Sequence, residues 1–257
     1  MSSRRDEMLK EMGLTPVWRL RAPAGHAVAL PLEPASAASA TPMSSQDESL
    51  HSAAPALKDD RRAVIMGMDW AALKEAVAQC RDCPLHAKRN KTVFGVGDEN
   101  ADWMFIGEGP GADEDALGDP FVGQAGKLLD NMLAAIELKR GDNVYIANVV
   151  KCRPPGNRNP EPAEALSCEP FLQRQIELLK PRLIVALGRV AAVNLLARDA
   201  SVASMRGRVL EYNGTPLIVT YHPAYLLRSL TEKAKAWEDL CFALKTMKEL
   251  HAVTAST

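Results

Sequence analysis

The sequence predicts a three-layer α/β domain, in which helices cover both faces of a mostly parallel central sheet of about four strands. Four short, continuous apolar runs are typical of strands that are buried on both faces, and they lie at residues 103–106, 144–147, 183–187 and 217–220. Amphipathic stretches fall between or after these runs, at about 123–138, 161–179, 188–198 and 231–250. Strands that alternate with helices in this way indicate a parallel sheet, because parallel strands need a crossover connection.

The N-terminal quarter of the chain differs in composition from the rest. Residues 22–57 are rich in Ala, Ser and Pro and show no periodic apolar face, so we expect a disordered extension over 1–65. Apolar residues between Met8 and Leu20 are interpreted as a segment without function, with docking on a replication or repair protein as the alternative. The folded domain is expected to span 66–250, with Asp69 capping a helix that runs to Gln79, and a tail over 251–257.

Charge and hydropathy exclude some classes of function. The 257 residues carry a net charge of −1, so no global field attracts nucleic acid. Basic residues nevertheless cluster locally, in groups that predict either a duplex-binding face or ordinary solvated surface: Arg81, Lys88, Arg89 and Lys91; Lys151, Arg153 and Arg158; Arg206 and Arg208. No run approaches the ~18 apolar residues of a membrane span, so we expect a cytoplasmic protein that is not associated with a membrane.

Four of the five cysteines form a pattern that is typical of a metal centre. Cys80 and Cys83 are a C-x-x-C pair, and proline follows closely behind Cys83, Cys152 and Cys168, which predicts that turns hold these thiols. Because iron–sulfur clusters accept cysteines at varied spacings, such a cluster is the favoured centre. A zinc site, which more often has two compact pairs, and no metal at all remain the alternatives. Cys241 lies on a helical pattern and is interpreted as a buried apolar residue.

Polar and aromatic residues follow the predicted strands. A loop with three glycines begins at Gly107 and Gly109, and its backbone can approach a planar ligand closely. Phe121 stands among small residues, as a stacking platform for a flat base requires, or as a core residue in a turn. Asn148 and His222 fall at the carboxyl ends of two strands, the edge at which open α/β sheets bind ligands.

Together these motifs resemble the family 4 uracil-DNA glycosylases, the iron–sulfur branch of the uracil-DNA glycosylase superfamily. The resemblance covers roughly residues 66–250 and rests on the C-x-x-C pair followed, in order, by GEGPGADED, DPFVGQAG, NVVKCRPPGNR and HPAYLLR. Each motif is weak alone, but the ordered combination is highly specific. The N-terminal extension lies outside the resemblance.

The resemblance implies a role for individual residues. It implies a [4Fe–4S] cluster that is held by the four cysteines Cys80, Cys83, Cys152 and Cys168. Phe121 matches the aromatic residue that stacks on a flipped uracil, Asn148 the amide that reads the base edge, and His222 the histidine that faces uracil O2. Gly107 and its neighbour Gly109 match the loop that lines the base pocket.

The catalytic water and the DNA backbone have several candidate partners each. Glu108, Glu114 and Asn157 fall in matching motifs, and Glu108 is ranked first for orienting the water because it lies nearest the strand end. The candidate phosphate contacts are Lys151, Arg153, Arg158 and Arg206.

The implied function is hydrolysis of the N-glycosidic bond of deoxyuridine in single- or double-stranded DNA, which releases uracil and initiates base-excision repair. We expect a monomeric enzyme of the bacterial cytosol that is associated with the nucleoid. A non-catalytic iron–sulfur DNA-binding accessory protein is the first alternative, and a metal-bearing redox sensor is the second.

Overall fold

The computed structural model describes residues 54–255, and the side chains of 60–252. Its centre is a six-stranded sheet of order β1-β3-β2-β4-β6-β5. The strands are β1 (Val96–Gly97), β2 (Trp103–Gly107), β3 (Val144–Asn148), β4 (Leu183–Leu187), β5 (Leu210–Tyr212) and β6 (Thr215–Thr220). Strands β2, β3, β4 and β6 run parallel, whereas β1 and β5 pair antiparallel at the two edges.

The predicted fold class is confirmed, and the four parallel strands coincide with the four apolar runs. The sheet has six strands rather than about four. The two additional strands contain only two and three residues and are partly exposed, so neither produces a continuous apolar run in the sequence.

Helices cover both faces of the sheet. They are α1 (Ala54–Met66), α2 (Trp70–Gln79), α3 (Ala112–Leu117), α4 (Gln124–Ala135), α5 (Pro162–Leu179), α6 (Gly188–Leu196), α7 (Val202–Met205), α8 (Pro223–Arg228) and α9 (Lys233–Ala255). Asp69 caps α2 as predicted, because its Oδ1 accepts a hydrogen bond from Ala72 N at 2.8 Å. None of the helices within 54–255 is both long and apolar enough to cross a bilayer.

Alternate residues of each parallel strand enter two different cores. In β2, Met104 and Ile106 pack in the core that helices α2, α5 and α6 cover, whereas Trp103 and Phe105 pack in the core beneath α4 and α9. All five residues of β2 are therefore buried, as are all five of β3 and of β4. Burial on both faces explains why these strands are continuously apolar in the sequence.

The helices at the two ends of the described chain extend past the expected domain limits of 66 and 250. Helix α1 begins at Ala54, inside the stretch that composition assigns to a disordered extension. Its last turns pack on α5, since Ile65 is buried and the guanidinium of Arg61 lies 5.0 Å from the ring centroid of Phe171. Helix α9 continues to Ala255, five residues past the expected end at 250. The segment from Met8 to Leu20 lies outside the described residues.

Candidate functional site

A cavity of about 590 Å³ opens at the carboxyl edge of the parallel strands. Its walls come from the segments that follow four of these strands: Glu108–Gly111 after β2, Asn148 at the end of β3, Gly188–Val190 after β4, and Tyr221–Tyr225 after β6. The volume falls in the range of small-ligand sites. The prediction that the motifs meet at this edge is therefore confirmed for the residues that line the cavity.

Asn148 lines the cavity and carries an unsatisfied polar atom. The residue is 2% exposed, and among the described residues its side-chain Oδ1 has no hydrogen-bond partner. A buried acceptor without a donor is costly, unless a ligand supplies the donor. A Cβ atom on Gly107 would lie 2.5 Å from Asn148 Oδ1 and 2.5 Å from Phe121 Cζ. Because residue 107 is glycine, the Asn148 amide and the Phe121 ring can both pack closely against its backbone.

The loop that carries Phe121 is held in an uncommon backbone conformation. Phe121 has φ of 56°, which is rare for a bulky residue and indicates constraint by its surroundings. Arg140 supplies part of this constraint, because its Nη1 and Nη2 donate to the carbonyls of Pro120 and Phe121, each at 2.8 Å. A Cβ on Gly126 would lie 1.8 Å from the Phe121 carbonyl oxygen, so the loop can pack here only against glycine. The ring is buried and is fixed before any ligand arrives.

Glu114 joins the two loops of the cavity wall. Its Oε2 accepts a hydrogen bond from Gly111 N at 3.0 Å, and its Oε1 accepts from Val122 N at 3.0 Å and from Gly123 N at 3.2 Å. Both carboxylate oxygens are therefore occupied by backbone donors. The structure places Glu114 as a clamp between the glycine-rich loop and the Phe121 loop, which leaves it poorly disposed to orient a water.

Glu108 lies half-buried in the cavity wall, directly after β2. Burial raises the pKa of its carboxyl above the ordinary value, since the charged form loses hydration. A carboxylate with a raised pKa is a better proton acceptor, which is the property that a general base needs.

His222 is held as a neutral imidazole. It caps α8, and its Nδ1 accepts a hydrogen bond from Ala224 N at 3.1 Å, so the proton resides on Nε2. Burial lowers the pKa of His222 to about 4, with a smaller effect of the same sign from the positive charge of Arg228. The ring centroid lies 5.5 Å from that of Phe121. His222 therefore offers a neutral N–H donor beside the aromatic ring.

The predicted phosphate contacts divide into two groups. Arg158 and Asn157 lie at the exposed cavity mouth, and Arg153 lies behind them, donating from Nε to Asn157 Oδ1 at 2.7 Å. Arg158 is also bound to the buried carboxylate of Glu164, at 2.7 and 2.8 Å, which fixes its guanidinium in place.

The prediction that Lys151 and Arg206 form part of a basic, phosphate-binding surface is wrong. Lys151 is 1% exposed, and its Nζ donates to the Asn148 carbonyl at 2.9 Å and to Gln175 Oε1 at 2.6 Å. Burial lowers the pKa of Lys151 to about 8. Arg206 lies outside the cavity lining and pairs with Glu238 and with the buried Asp239. Both cations are used inside the fold, because the segments that carry them turn inwards.

Sequence analysis missed four residues of the cavity mouth. Arg189 and Arg228 are exposed there, and Tyr221 stacks on Tyr225. A usable signal existed, since each of the four lies within eight residues of the end of a predicted strand, and two of them belong to the HPAYLLR motif.

A second, smaller cavity is lined by Cys80, Cys83, Cys152 and Cys168, so the fold brings the four predicted ligands together. Cys80 ends α2, Cys83 precedes a short 3₁₀ helix, and Cys152 lies in the loop after β3. Cys168 lies within α5 and not in a turn, because α5 continues through Pro170. Cys241 is exposed, contrary to the expectation of burial, since it occupies the outer side of α9.

The chemistry of this cavity suits thiolate ligands. Arg89 Nη1 donates to Cys152 Sγ at 3.0 Å, and the backbone N–H of Lys151 donates to Cys168 Sγ at 3.3 Å. Burial raises the pKa of Cys168 to about 12 and also raises the pKa of Cys80 and Cys152, so deprotonation requires a nearby cation. In the part of the chain that is described, no three His, Cys, Asp or Glu side chains converge on a point that would hold one metal ion. Four cysteines around one cavity with N–H donors to sulfur fit a larger sulfur-ligated group.

Comparison with known proteins places these features in a family. Residues 94–241 match the family model described as the uracil DNA glycosylase superfamily. The chain is 47% identical to a type-4 uracil-DNA glycosylase of Archaeoglobus fulgidus over 159 residues, which are 59% of this chain and 79% of the relative. It is 44% identical to the type-4 enzyme of Thermotoga maritima, over 63% of this chain and 85% of the relative.

A third type-4 uracil-DNA glycosylase, from Pyrobaculum aerophilum, is 43% identical over 67% of this chain and 92% of the relative. A type-5 uracil-DNA glycosylase of the same organism is 33% identical, over 51% of this chain and 64% of the relative. The chain therefore belongs to the uracil-DNA glycosylase superfamily, within its type-4 family.

Proposed function

We propose that the cavity at the carboxyl edge of the sheet binds a uracil flipped out of DNA and hydrolyses its N-glycosidic bond. The observation that carries this proposal is the meeting of Asn148 Oδ1, which is buried without a donor, with the fixed ring of Phe121 in a single cavity. A flat base with an N–H on its edge would donate a hydrogen bond to Asn148 Oδ1 and stack on the Phe121 ring. The target nucleotide must leave the duplex or come from a single strand, at a cost of a few kcal/mol, and stacking offsets part of that cost.

Discrimination between uracil and cytosine follows from the orientation of the Asn148 amide. We assign Asn148 Oδ1 as the acceptor of uracil N3–H, so that the other end of the amide donates to O4. Cytosine has an acceptor at N3 and a donor at position 4, so both contacts would be lost. Such a mismatch leaves buried groups unpaired and supports discrimination of about 10⁴-fold.

The departing uracil is stabilised by hydrogen-bond donors. As the C1′–N1 bond breaks, its electron pair moves to the uracil ring, and positive charge develops on the sugar. His222 Nε2–H donates towards O2, and the glycine-rich loop after β2 lines the same cavity at Glu108–Gly111. Each donor that strengthens with developing charge contributes roughly 3–4 kcal/mol in comparable sites.

Glu108 is the group that we assign to the water. The water oxygen forms the new bond to C1′, and its proton passes to the carboxylate, while uracil leaves as an anion and is protonated afterwards. Glu114 serves the reaction indirectly, because its clamp holds Gly111 and the Phe121 loop in register. Asn157 lies at the mouth, bound to Arg153, where it orders the DNA-facing loop.

The four-cysteine cavity is proposed as the site of a [4Fe–4S] cluster, held by Cys80, Cys83, Cys152 and Cys168. Hydrolysis requires no electron, so the cluster would supply a cross-link between distant segments and no redox step. This cross-link joins the end of α2, the loop after β3 and the middle of α5. The Arg153–Arg158 loop, which begins directly after Cys152, is thereby held towards the DNA.

The decisive experiment uses the purified full chain with its iron. Labelled single-stranded and duplex oligonucleotides carry one deoxyuridine, deoxycytidine or thymidine at the same position, and alkali then cleaves abasic sites. We expect cleavage only at deoxyuridine. If the protein binds these oligonucleotides but yields no abasic site, it is an accessory DNA-binding protein and the enzymatic proposal is wrong.

Three expectations from the sequence stay predictions. We propose that the protein is monomeric, that it acts in the cytosol near the nucleoid, and that the segment from Met8 to Leu20 has no function, with docking on a replication or repair protein as the alternative. Size-exclusion chromatography with light scattering tests the first of these directly.

A further inference from the structure

Two aromatic residues at the cavity mouth are not required by the reaction described above. Tyr221 follows β6, Tyr225 lies in the first turn of α8, and their rings stack with centroids 5.5 Å apart and planes at 18°. Both residues line the cavity. Tyr225 is 39% exposed, whereas Phe121 is 6% exposed, so one cavity has a buried ring and a second aromatic surface at its entrance.

Polar contacts fix this tyrosine pair in place. The Tyr221 hydroxyl lies beside the carboxylate of Glu232. The carboxylate of Glu232 in turn accepts from Lys235 Nζ, at 3.0 Å and 2.9 Å. On the other side, His222 caps the helix from which Tyr225 projects. Because the lower ring is anchored, little side-chain freedom remains to be lost when a further ring is added to the stack.

The charges around the pair favour a nucleic-acid strand as the occupant. Arg189, in the first turn of α6, and Arg228, at the end of α8, are exposed and line the same cavity, and Arg189 also pairs with the exposed Asp199. A strand whose uracil enters the cavity must pass this mouth on both its 5′ and its 3′ side. The nucleotides next to the uracil therefore bring a flat base and a phosphate to a surface that has an aromatic ring and two guanidinium groups.

We propose that Tyr225, anchored on Tyr221, stacks on the base adjacent to the uracil and forms a second subsite without base preference. This subsite rests on the proposed function, since it needs a strand whose uracil occupies the cavity. Every base has a π-face, so the contact holds the strand without restricting the sequence around the lesion. It acts most on single strands, in which the neighbouring base is free to leave its own stack.

The test measures binding, so that it does not depend on catalysis. The strand carries 2′-fluoro-2′-deoxyuridine, which resists cleavage, and either normal bases or an abasic spacer on its 5′ or 3′ side. The dissociation constant is measured by fluorescence anisotropy. We expect Tyr225→Ala to weaken binding about tenfold and Tyr225→Phe to leave binding unchanged. A spacer on the contacted side should weaken the wild type equally and leave Tyr225→Ala unaffected.

Trp237→Ala is the matched control, because Trp237 is an aromatic residue of similar exposure that lies outside the cavity lining. It should bind as the wild type does. Should Tyr225→Ala unfold, Tyr225→Leu retains the apolar volume without the ring and gives the same contrast. The inference is overturned if the alanine variant binds like the wild type, or if the spacer and the substitution have multiplicative effects. Failure of the proposed function is seen separately, as no uracil release by the wild type from ordinary deoxyuridine.

Discussion

The ligand pocket and the cysteine cavity share one short segment of chain, yet they treat their polar groups in opposite ways. At one end of this segment, Asn148 holds an acceptor that no described residue satisfies. At the other end, Cys152 receives a hydrogen bond from Arg89, and Cys168 receives one from the backbone next to Cys152. The pocket therefore has an acceptor free for a ligand that binds and dissociates. In the cavity, by contrast, two sulfur atoms already receive hydrogen bonds, which suits the permanently bound cluster that we propose.

The two regions also differ in what fixes them. The pocket is shaped by polypeptide alone, through the Glu114 clamp and the hydrogen bonds of Arg140 to the Phe121 loop. The cavity joins three segments whose buried thiols have raised pKa values and repel one another once they are charged. We therefore expect loss of a ligand group to disturb the pocket locally, and loss of a cysteine to disturb the whole domain.

The largest effect is expected for Cys168→Ala, which removes one of the two buried thiols of the cavity. The variant should lose iron, visible absorbance and several kcal/mol of folding free energy, because metal binding and folding are coupled in such sites. Iron analysis, absorbance spectra and thermal unfolding measure these changes. The exposed Cys241→Ala is the matched control and should retain iron and stability. Unchanged stability after complete loss of iron would contradict a structural role of the cluster.

The next largest effect is expected for Asn148→Ala. Removing the amide deletes both contacts that distinguish uracil from cytosine, so kcat/KM for uracil should fall about 10³–10⁴-fold. Stability should be retained or should rise slightly, since an unsatisfied buried acceptor is also removed. Single-turnover uracil release and thermal unfolding check the two parts. A large loss of stability together with activity would mean that Asn148 supports the fold rather than the ligand.

Glu108, in the glycine-rich loop, and Glu114, in α3, are expected to respond differently to substitution by glutamine. Glu108→Gln should lower kcat about 10²-fold with stability unchanged or improved, because burial already disfavours the charged form. Glu114→Gln should lower stability by about 1–3 kcal/mol, because an amide cannot accept from backbone donors with both of its atoms. Steady-state kinetics and denaturant unfolding of both variants test this contrast, and the reverse pattern would exchange their roles.

Part of the fold and of the candidate site can be predicted from the sequence, and part cannot. The apolar runs predict the four parallel strands, and the position of each motif after a strand predicts which residues share an edge. The side-chain direction of Lys151, however, depends on the turn after β3, which sends Nζ to the Asn148 carbonyl and Gln175. In the same way, no periodicity distinguishes the outer side of α9, where Cys241 lies, from its inner side. Composition does not predict α1 either, because α1 packs on α5, which lies far along the chain.

A pH titration of stability tests the neutral state of His222. The pKa is about 4 in the folded protein and near 6.5 when the chain unfolds, so the unfolded state binds more protons between these values. This contribution to stability is fully present above about pH 6.5 and is lost as the pH falls towards 4, with a slope of up to about 1.4 kcal/mol per pH unit. His222→Gln should flatten the profile in this window. An equal slope in the variant would assign the pH dependence to other groups.

The smallest effect on uracil release concerns the link between the two regions. Lys151 Nζ bonds the Asn148 carbonyl and Gln175, while its backbone N–H bonds Cys168 Sγ. Lys151→Met keeps the backbone contact and the approximate volume but leaves two buried acceptors without a donor, at about 1–3 kcal/mol each. If the side chain serves the pocket, kcat/KM for uracil should fall about tenfold with the iron content intact. If it serves the cavity, iron should be lost in proportion to activity.

Lys74→Met is the control for this last comparison, because Lys74 is an exposed lysine that pairs with Glu99 on the surface. It should change stability by less than about 0.5 kcal/mol. Iron content and uracil release, measured on the same samples of both variants, then separate the two regions quantitatively. Retained iron with reduced uracil release would show that the Asn148 end of the segment is positioned by its own buried contacts. Loss of both iron and uracil release would show instead that the geometry of the pocket depends on the cysteine cavity.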